Sequence, residues 1–133
     1  MGLFDIFKKK KVELTEEQLK WNKMWELWTE EKVESPYAEL MTYQSEINNG
    51  GHSQYFTNIE NVSNIQKEMS QLEKILPPLL NANLQIAHQS YVKLEENDGN
   101  ENSERILKRC DNTFFQNEEE INNILKKYAS EIK

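Results

Sequence analysis

Residues 46–56 read EINNGGHSQYF, from Glu46 to Phe56, and the fold turns on how this stretch is read. On either side of it apolar residues recur at helical spacing. Inside it two asparagines and two glycines stand together, followed at once by a histidine, a glutamine and two aromatics. Gly50 suits the left-handed conformation that closes a helix, and Gly51 permits a second sharp change of direction. The stretch therefore predicts a corner. Asn49-Gly50-Gly51 ends one helix, and Tyr55 and Phe56 drop into the core beyond it. Glu46, Gln54 and Asn58 carry side chains suited to bonding the backbone groups orphaned at the two helix ends. The competing reading makes the corner a ligand or partner pocket lined by Tyr43, Glu46, His52, Gln54 and Tyr55.

Working outward, the segment before the corner opens at Ser35-Pro36, where Ser is a good N-cap and Pro loses no hydrogen bond at the first helical position. Tyr37, Leu40, Met41 and Ile47 then fall on or near one face. Upstream, residues 15–34 predict a helix with a Thr15/Gln18 capping box and a Leu14–Leu19 staple. Trp21, Met24, Trp25 and Trp28 share one face of it. A stripe of tryptophans at this spacing is either core or a ligand platform, and core is the ordinary outcome. Downstream, Val62, Ile65, Met69, Leu72 and Leu76 predict a helix over roughly 59–76. Pro77-Pro78 ends it and opens another to about residue 96, with Leu79, Leu80, Ile86, Ala87, Tyr91 and Leu94 inward. NDGNENS, 97–103, reads as a polar loop. A shorter helix over about 104–115 carries Ile106, Leu107, Cys110, Phe114 and Phe115. A last one starts at Asn117, with Glu118, Glu119 and Glu120 at the positive end of its dipole. Ile121, Ile124, Leu125, Tyr128 and Ile132 form its stripe. No stretch alternates like a strand. The expected fold is all-α: a compact bundle of five to seven helices in one domain over residues 14–133, preceded by a basic amphipathic segment, 1–13.

The totals agree with one domain. A chain of 133 residues buries a real core without a disulfide or metal staple. Mean hydropathy is -0.86, polar for a globular domain, but 10% aromatics is too rich for a disordered chain. Cys110 is the single cysteine, which rules out an internal disulfide and fits a reducing cytoplasm. The net charge is -7. Lys8, Lys9, Lys10 and Lys11 face only Asp5 in residues 1–11, so the rest of the chain is more acidic still. Such a body repels phosphates, and direct nucleic-acid binding is not expected. No apolar run reaches a membrane span. The start, MGLFDIFKKKK, has the wrong order for a signal peptide, and Ile6 stands where myristoylation needs Ser or Thr. Leu3, Phe4, Ile6 and Phe7 before the lysines fit weak contact with an anionic membrane surface, or a frayed or domain-packed terminus.

Motifs of catalysis and metal binding are lacking. His52 and His88 are the only histidines, in no HExxH arrangement, and no CxxC or metal-loop spacing occurs. Cys110 lies on an apolar stripe, the setting of a small buried hydrophobe. Gly50-Gly51 lacks the Gly-Lys-Ser/Thr of a phosphate loop, and no nucleophile elbow appears. Neither an enzyme nor a cofactor is therefore expected. The remaining candidates are acidic clusters: Glu30, Glu31, Glu34 and Glu39; Glu95, Glu96, Asp98, Glu101 and Glu104; and Glu118, Glu119 and Glu120. Each reads first as a solvated face. The sharper reading is a surface whose carboxylates imitate DNA phosphates and occupy a basic partner.

The stretch Glu46 to Asn58 resembles the signature of the bacterial domain-of-unknown-function family 4375, the family of the DNA mimic protein C-terminal-like domain. That signature is a helix ending in Glu-x-x-Asn-Gly-Gly, then Gln-Tyr-Phe and Asn. Here it is met by Glu46, Asn49, Gly50, Gly51, Gln54, Tyr55, Phe56 and Asn58. The tail resembles the family's closing pattern: Asp111 and Phe114-Phe115, an acidic run, then Leu125-Lys126-Lys127-Tyr128. The resemblance covers roughly residues 35–132. His52 departs from it, standing where the family often has an aromatic, and residues 1–34 lie outside it. The resemblance implies an all-α fold and no established catalysis, and one member imitates DNA to sequester a transcription factor. The expected function is a cytoplasmic, non-enzymatic protein-interaction domain acting through an acidic face. An immunity or antitoxin-like protein that plugs a toxin is the second expectation. A small-ligand domain at the Gly-Gly corner is the third.

Overall fold

The computed structural model describes residues 14–97 and 100–132. The basic segment 1–13, Asp98 and Lys133 lie outside the described residues. Five helices and no strand are found among the described residues: α1 (Glu16–Thr29), α2 (Tyr37–Val62), α3 (Ile65–Glu73), α4 (Pro78–Glu96) and α5 (Glu101–Ser130). None of them is long and apolar enough to cross a membrane.

Local chemistry sets most of the boundaries. Thr15 and Gln18 cap α1 reciprocally, side chain to backbone in both directions, at 3.0 and 3.1 Å. Asn64 caps α3 by accepting from the backbone N–H groups of Gln66 and Lys67. Pro78 occupies the first turn of α4, where its missing N–H costs nothing. Asn100 caps α5 by accepting from Ser103 N–H.

Several boundaries differ from those the sequence predicts. α1 ends at Thr29, not near residue 34. α2 starts after Pro36 with no side-chain cap; Ser35 instead donates its hydroxyl to Glu39 Oε2 at 2.8 Å. The chain does not leave the helix at Gly50-Gly51: it kinks there and resumes, running to Val62 before α3 begins at Ile65. The predicted helices over 104–115 and from 117 are one 30-residue helix, α5. No Gly or Pro falls between residues 101 and 130, so nothing breaks the backbone ladder at Gln116. Glu118, Glu119 and Glu120 thus sit in mid-helix, beyond the reach of an N-terminal dipole.

α5 is the spine. It packs along α4 and also touches α2 and α1, while α2 packs on α3 and α4. The core at their junction holds Tyr43, Tyr55, Phe56, Phe114, Met24, Leu40, Met41, Ile47, Leu72, Leu80, Leu84 and Ile121, all essentially solvent-free. Each such side chain contributes about 1.5–3 kcal/mol of apolar burial. Trp21, Trp25 and Trp28 are half-buried against this core. They meet edge to face, at 6.3 and 5.3 Å between successive ring centroids. Trp28 donates its indole N–H to Thr42 Oγ1 at 3.1 Å, so the stripe packs on the core at that end, while Trp21 also lines an open groove. Val62, Leu79, Ile86 and Phe115 are exposed, not inward, and so are Leu14 and Leu19 of the expected staple. Val62 closes α2 instead of joining α3. Ile86 and Phe115 each lie one residue, about 100° of helix, from a residue that does face in, Ala87 and Phe114.

Candidate functional site

The corner is built around one backbone torsion. Gly51 has φ 79° and ψ -175°, a region closed to side chains. A Cβ there would lie 2.4 Å from Asp111 Oδ2. Gly50 is helical, but its Cβ would lie 2.0 Å from Gln54 Oε1 and 2.9 Å from Gln54 Cβ. Both glycines are thus required by close approach, and Gly51 also by its torsion.

Behind the kink three polar side chains from α2 and α5 are connected. Asp111 Oδ1 accepts from the backbone N–H of His52 at 2.8 Å and meets His52 Nδ1 at 2.6 Å. The other ring nitrogen, Nε2, meets Tyr43 OH at 2.6 Å. Nδ1 therefore donates to the carboxylate, and Nε2 accepts from the phenol. His52 and Tyr43 are fully buried, whereas the Asp111 side chain keeps 25% of its surface in solvent. Burial pushes the Tyr43 phenol well above its ordinary pKa, with Tyr55, Cys110 and Asp111 adding to it. The order acid–imidazole–hydroxyl has the look of a catalytic relay, but Tyr43 is wholly buried, its ring edge-on to those of Tyr55 and Phe114 at 5.1 and 5.3 Å between centroids. Its role here is to hold the kink: Asp111 satisfies the N–H that Gly51's turn leaves orphaned. That corrects the expectation that Glu46, Gln54 and Asn58 serve the backbone at this corner.

Those three do something else. Gln54 Nε2 and Asn58 Nδ2 both donate to Glu46 Oε2, at 3.3 and 2.5 Å, clasping the two halves of α2 across the kink. Asn49 is helical and exposed. Tyr55 and Phe56 are buried as expected. Tyr55 OH, however, has no hydrogen-bond partner among the described residues, and neither has the buried Glu39 Oε1. The carboxylates that act on the Tyr55 phenol are Glu68, Glu39 and Glu46, in decreasing order after burial itself, and together they hold it far above its ordinary pKa. Glu68, on α3, is itself raised, first by burial and then by Glu39. Glu39, Glu46 and Glu68 are thus half-buried carboxylates whose charge is felt by the buried Tyr55 phenol. The sequence flagged Glu39 and Glu46 separately, and gave no sign of Glu68 or of the phenol's unsatisfied hydroxyl.

The predicted acidic clusters fare unevenly. Glu30 and Glu31 are exposed in the α1–α2 connection, Glu30 within 3.5 Å of Lys32; Glu34 lies beside Tyr128, whose phenol it raises less than burial does. Glu95 and Glu96 are exposed at the end of α4 and Glu101 at the start of α5. Glu95 is raised by burial first and then by Glu60. Glu118 faces inward: Gln44 and Asn48 donate to its Oε2 at 3.0 and 2.6 Å. Glu119 lies 3.9 Å from Lys126, and Glu120 is exposed.

Two further features lie away from the corner. Cys110 is buried, its carbonyl accepts from Asn83 Nδ2 at 2.9 Å, and burial raises its thiol pKa. A groove of about 770 Å³ separates the first turn of α1 from the last turn of α5, with Leu14, Trp21 and Ala129 on its apolar walls and Glu17, Lys126 and Lys127 at its rim. Among the described residues no three His, Cys, Asp or Glu groups converge to hold a metal ion. Compared with protein-family models, curated proteins and solved structures, the chain matches none.

Proposed function

We propose that this chain is a non-enzymatic, helical protein-interaction domain whose acidic face, centred on α2 and α3, receives a basic surface of another protein. One observation carries the reading. The half-buried Glu39, Glu46 and Glu68 have no ion-pair partner among the described residues, whereas Lys20, Lys23, Lys32 and Lys126 pair with the more exposed Glu16, Glu26, Glu30 and Glu119. Partly desolvated carboxylates held near one another are costly in the free protein. A cationic partner relieves that repulsion and gains speed of association from the field. Imitation of DNA before a DNA-binding protein, or occupation of a toxin's basic site, are specific forms of this function.

The test is a pull-down from host extract with the full chain carrying a C-terminal tag, eluted by a salt step. The expected result is a basic protein released by moderate salt and lost when Glu39 and Glu68 are changed together to Lys, in a variant whose helical spectrum is unchanged. Capture that neither salt nor this charge reversal alters would overturn the acidic-face reading.

A further inference from the structure

We propose that the groove between the first turn of α1 and the last turn of α5 is the docking site of this chain's own residues 3–7, with Leu3, Phe4, Ile6 and Phe7 against its apolar walls. This docking neither requires the acidic-face function nor is required by it. The groove is open and built to hold side chains. Its volume is about 770 Å³, inside the range of about 300–1,000 Å³ found for ligand pockets. Leu14, Trp21 and Ala129 line it. Leu14 is 44% exposed and Trp21 is only half-buried against the core, so apolar surface is left that gains from being covered. Lys20 spans the two walls, donating to the Ser130 carbonyl at 3.0 Å. The walls are therefore fixed before anything enters, which lowers the ordering cost of docking.

The place where the chain enters the domain names the occupant. Leu14 is the first described residue and also part of the groove wall. Phe7 stands seven positions before it and Leu3 eleven, a reach of up to about 23 and 36 Å. The α1 wall from Leu14 to Asn22 is only about 12 Å long, so residues 3–7 fold back over it without strain. Being tethered, they are present at an effective concentration on the order of millimolar, ahead of a free competitor of similar affinity. The charges agree in order. Lys8 to Lys11 lie between the apolar residues and Leu14, and Glu16 and Glu17 stand at the start of α1. Asp5 lies among the apolar residues, and Lys126 and Lys127 stand on the α5 side. Opposite charges thus meet at both rims of a covered groove.

The experiment is NMR of the full chain, labelled with ¹³C and ¹⁵N, in buffer without lipid. The expected result is nuclear Overhauser cross-peaks from the Phe4 and Phe7 rings to the Trp21 indole and the Ala129 methyl group, unchanged on dilution. The double variant Phe4→Ser/Phe7→Ser, checked for an unchanged helical spectrum, should lose these cross-peaks. It should also shift the amides of Leu14, Trp21, Lys127 and Ala129 while leaving those of α3 in place. Absence of the cross-peaks, or groove amides indifferent to the double variant, would overturn the proposal. Cross-peaks that run between molecules in a mixture of labelled and unlabelled chain would overturn it in favour of a second copy. Segment amides that respond only to added phosphatidylglycerol vesicles, with the groove never responding, would overturn it in favour of a lipid surface.

Discussion

Replacing Gly51 by alanine should be among the most damaging single-methyl changes available in this protein. Two costs add. The φ of 79° with ψ -175° lies in a region essentially reserved for glycine, and forcing a side chain into it costs about 1–3 kcal/mol. The new methyl would also stand 2.4 Å from Asp111 Oδ2 and 3.0 Å from its Cγ, so the carboxylate must withdraw. Withdrawal breaks its bonds to the His52 backbone N–H and imidazole, each worth about 1.5–3 kcal/mol as a charge-assisted bond. Because strain and displacement relieve one another, we expect a total of about 3–5 kcal/mol, less than the full sum. For 133 residues the unfolding entropy is about 0.28 kcal/mol per kelvin, so Tm should fall by roughly 10–18 °C. Circular dichroism at 222 nm with thermal and urea unfolding measures it. Asn49→Ala, one turn position away but exposed and helical, should stay within about 0.5 kcal/mol of the parent. The double variant Gly51→Ala/Asp111→Ala should lose less than the two single losses combined, since the clash disappears with the carboxylate. A Gly51→Ala protein melting within about 3 °C of the parent would refute both the torsion and the Asp111 argument.

Two further outcomes are expected. Burial, and then Glu39, hold the Glu68 carboxyl above its ordinary pKa. The folded state therefore binds that proton more tightly than the unfolded chain does. The resulting stabilisation is complete below the ordinary carboxylate pKa and is lost as pH rises through the raised value. Glu68→Gln should thus raise Tm near about pH 7 and leave it unchanged near about pH 3.5; equal effects at both values would contradict the assignment. Cys110 is 3% exposed and its thiol pKa is raised by burial. An aromatic disulfide reagent should modify it on the order of a hundredfold more slowly in the native protein than in urea, and a native rate equal to the denatured one would mean that the α4–α5 seam opens readily.

The corner reads as structural and yet gathers polar residues, because two hydrogen-bonded groups meet at it. Glu46, Gln54 and Asn58 share one hydrogen-bonded clasp, while Asp111, His52 and Tyr43 share another. The first is partly open to solvent, and the second reaches the core. The kink is therefore held twice: by a buried brace to α5 and by a more exposed clasp within α2.

The amino-acid sequence by itself determined that the fold is all-helical, where α1, α2 and α4 begin to within a residue or two, and that Tyr55, Phe56 and Phe114 lie inside, because caps, prolines and 3.6-residue periodicity act within a few residues; it misplaced the starts of α3, near 59, and of α5, near 104, and turned Phe115 inward. It also determined that Gly50-Gly51 bends the chain with Tyr55 and Phe56 beneath. That α5 runs unbroken was masked by the acidic run after Asn117, which imitates a helix start; the absence of Gly and Pro permits continuity, and packing against α1, α2 and α4 accompanies it along the helix. Nor did the sequence reveal that Asp111, 59 residues from His52, supplies the acceptor for the corner, or that the Tyr55 hydroxyl is left without a partner among the described residues. Hydrogen bonds and desolvation between distant segments depend on which helix faces meet. No local pattern encodes that meeting; the tertiary structure decided it.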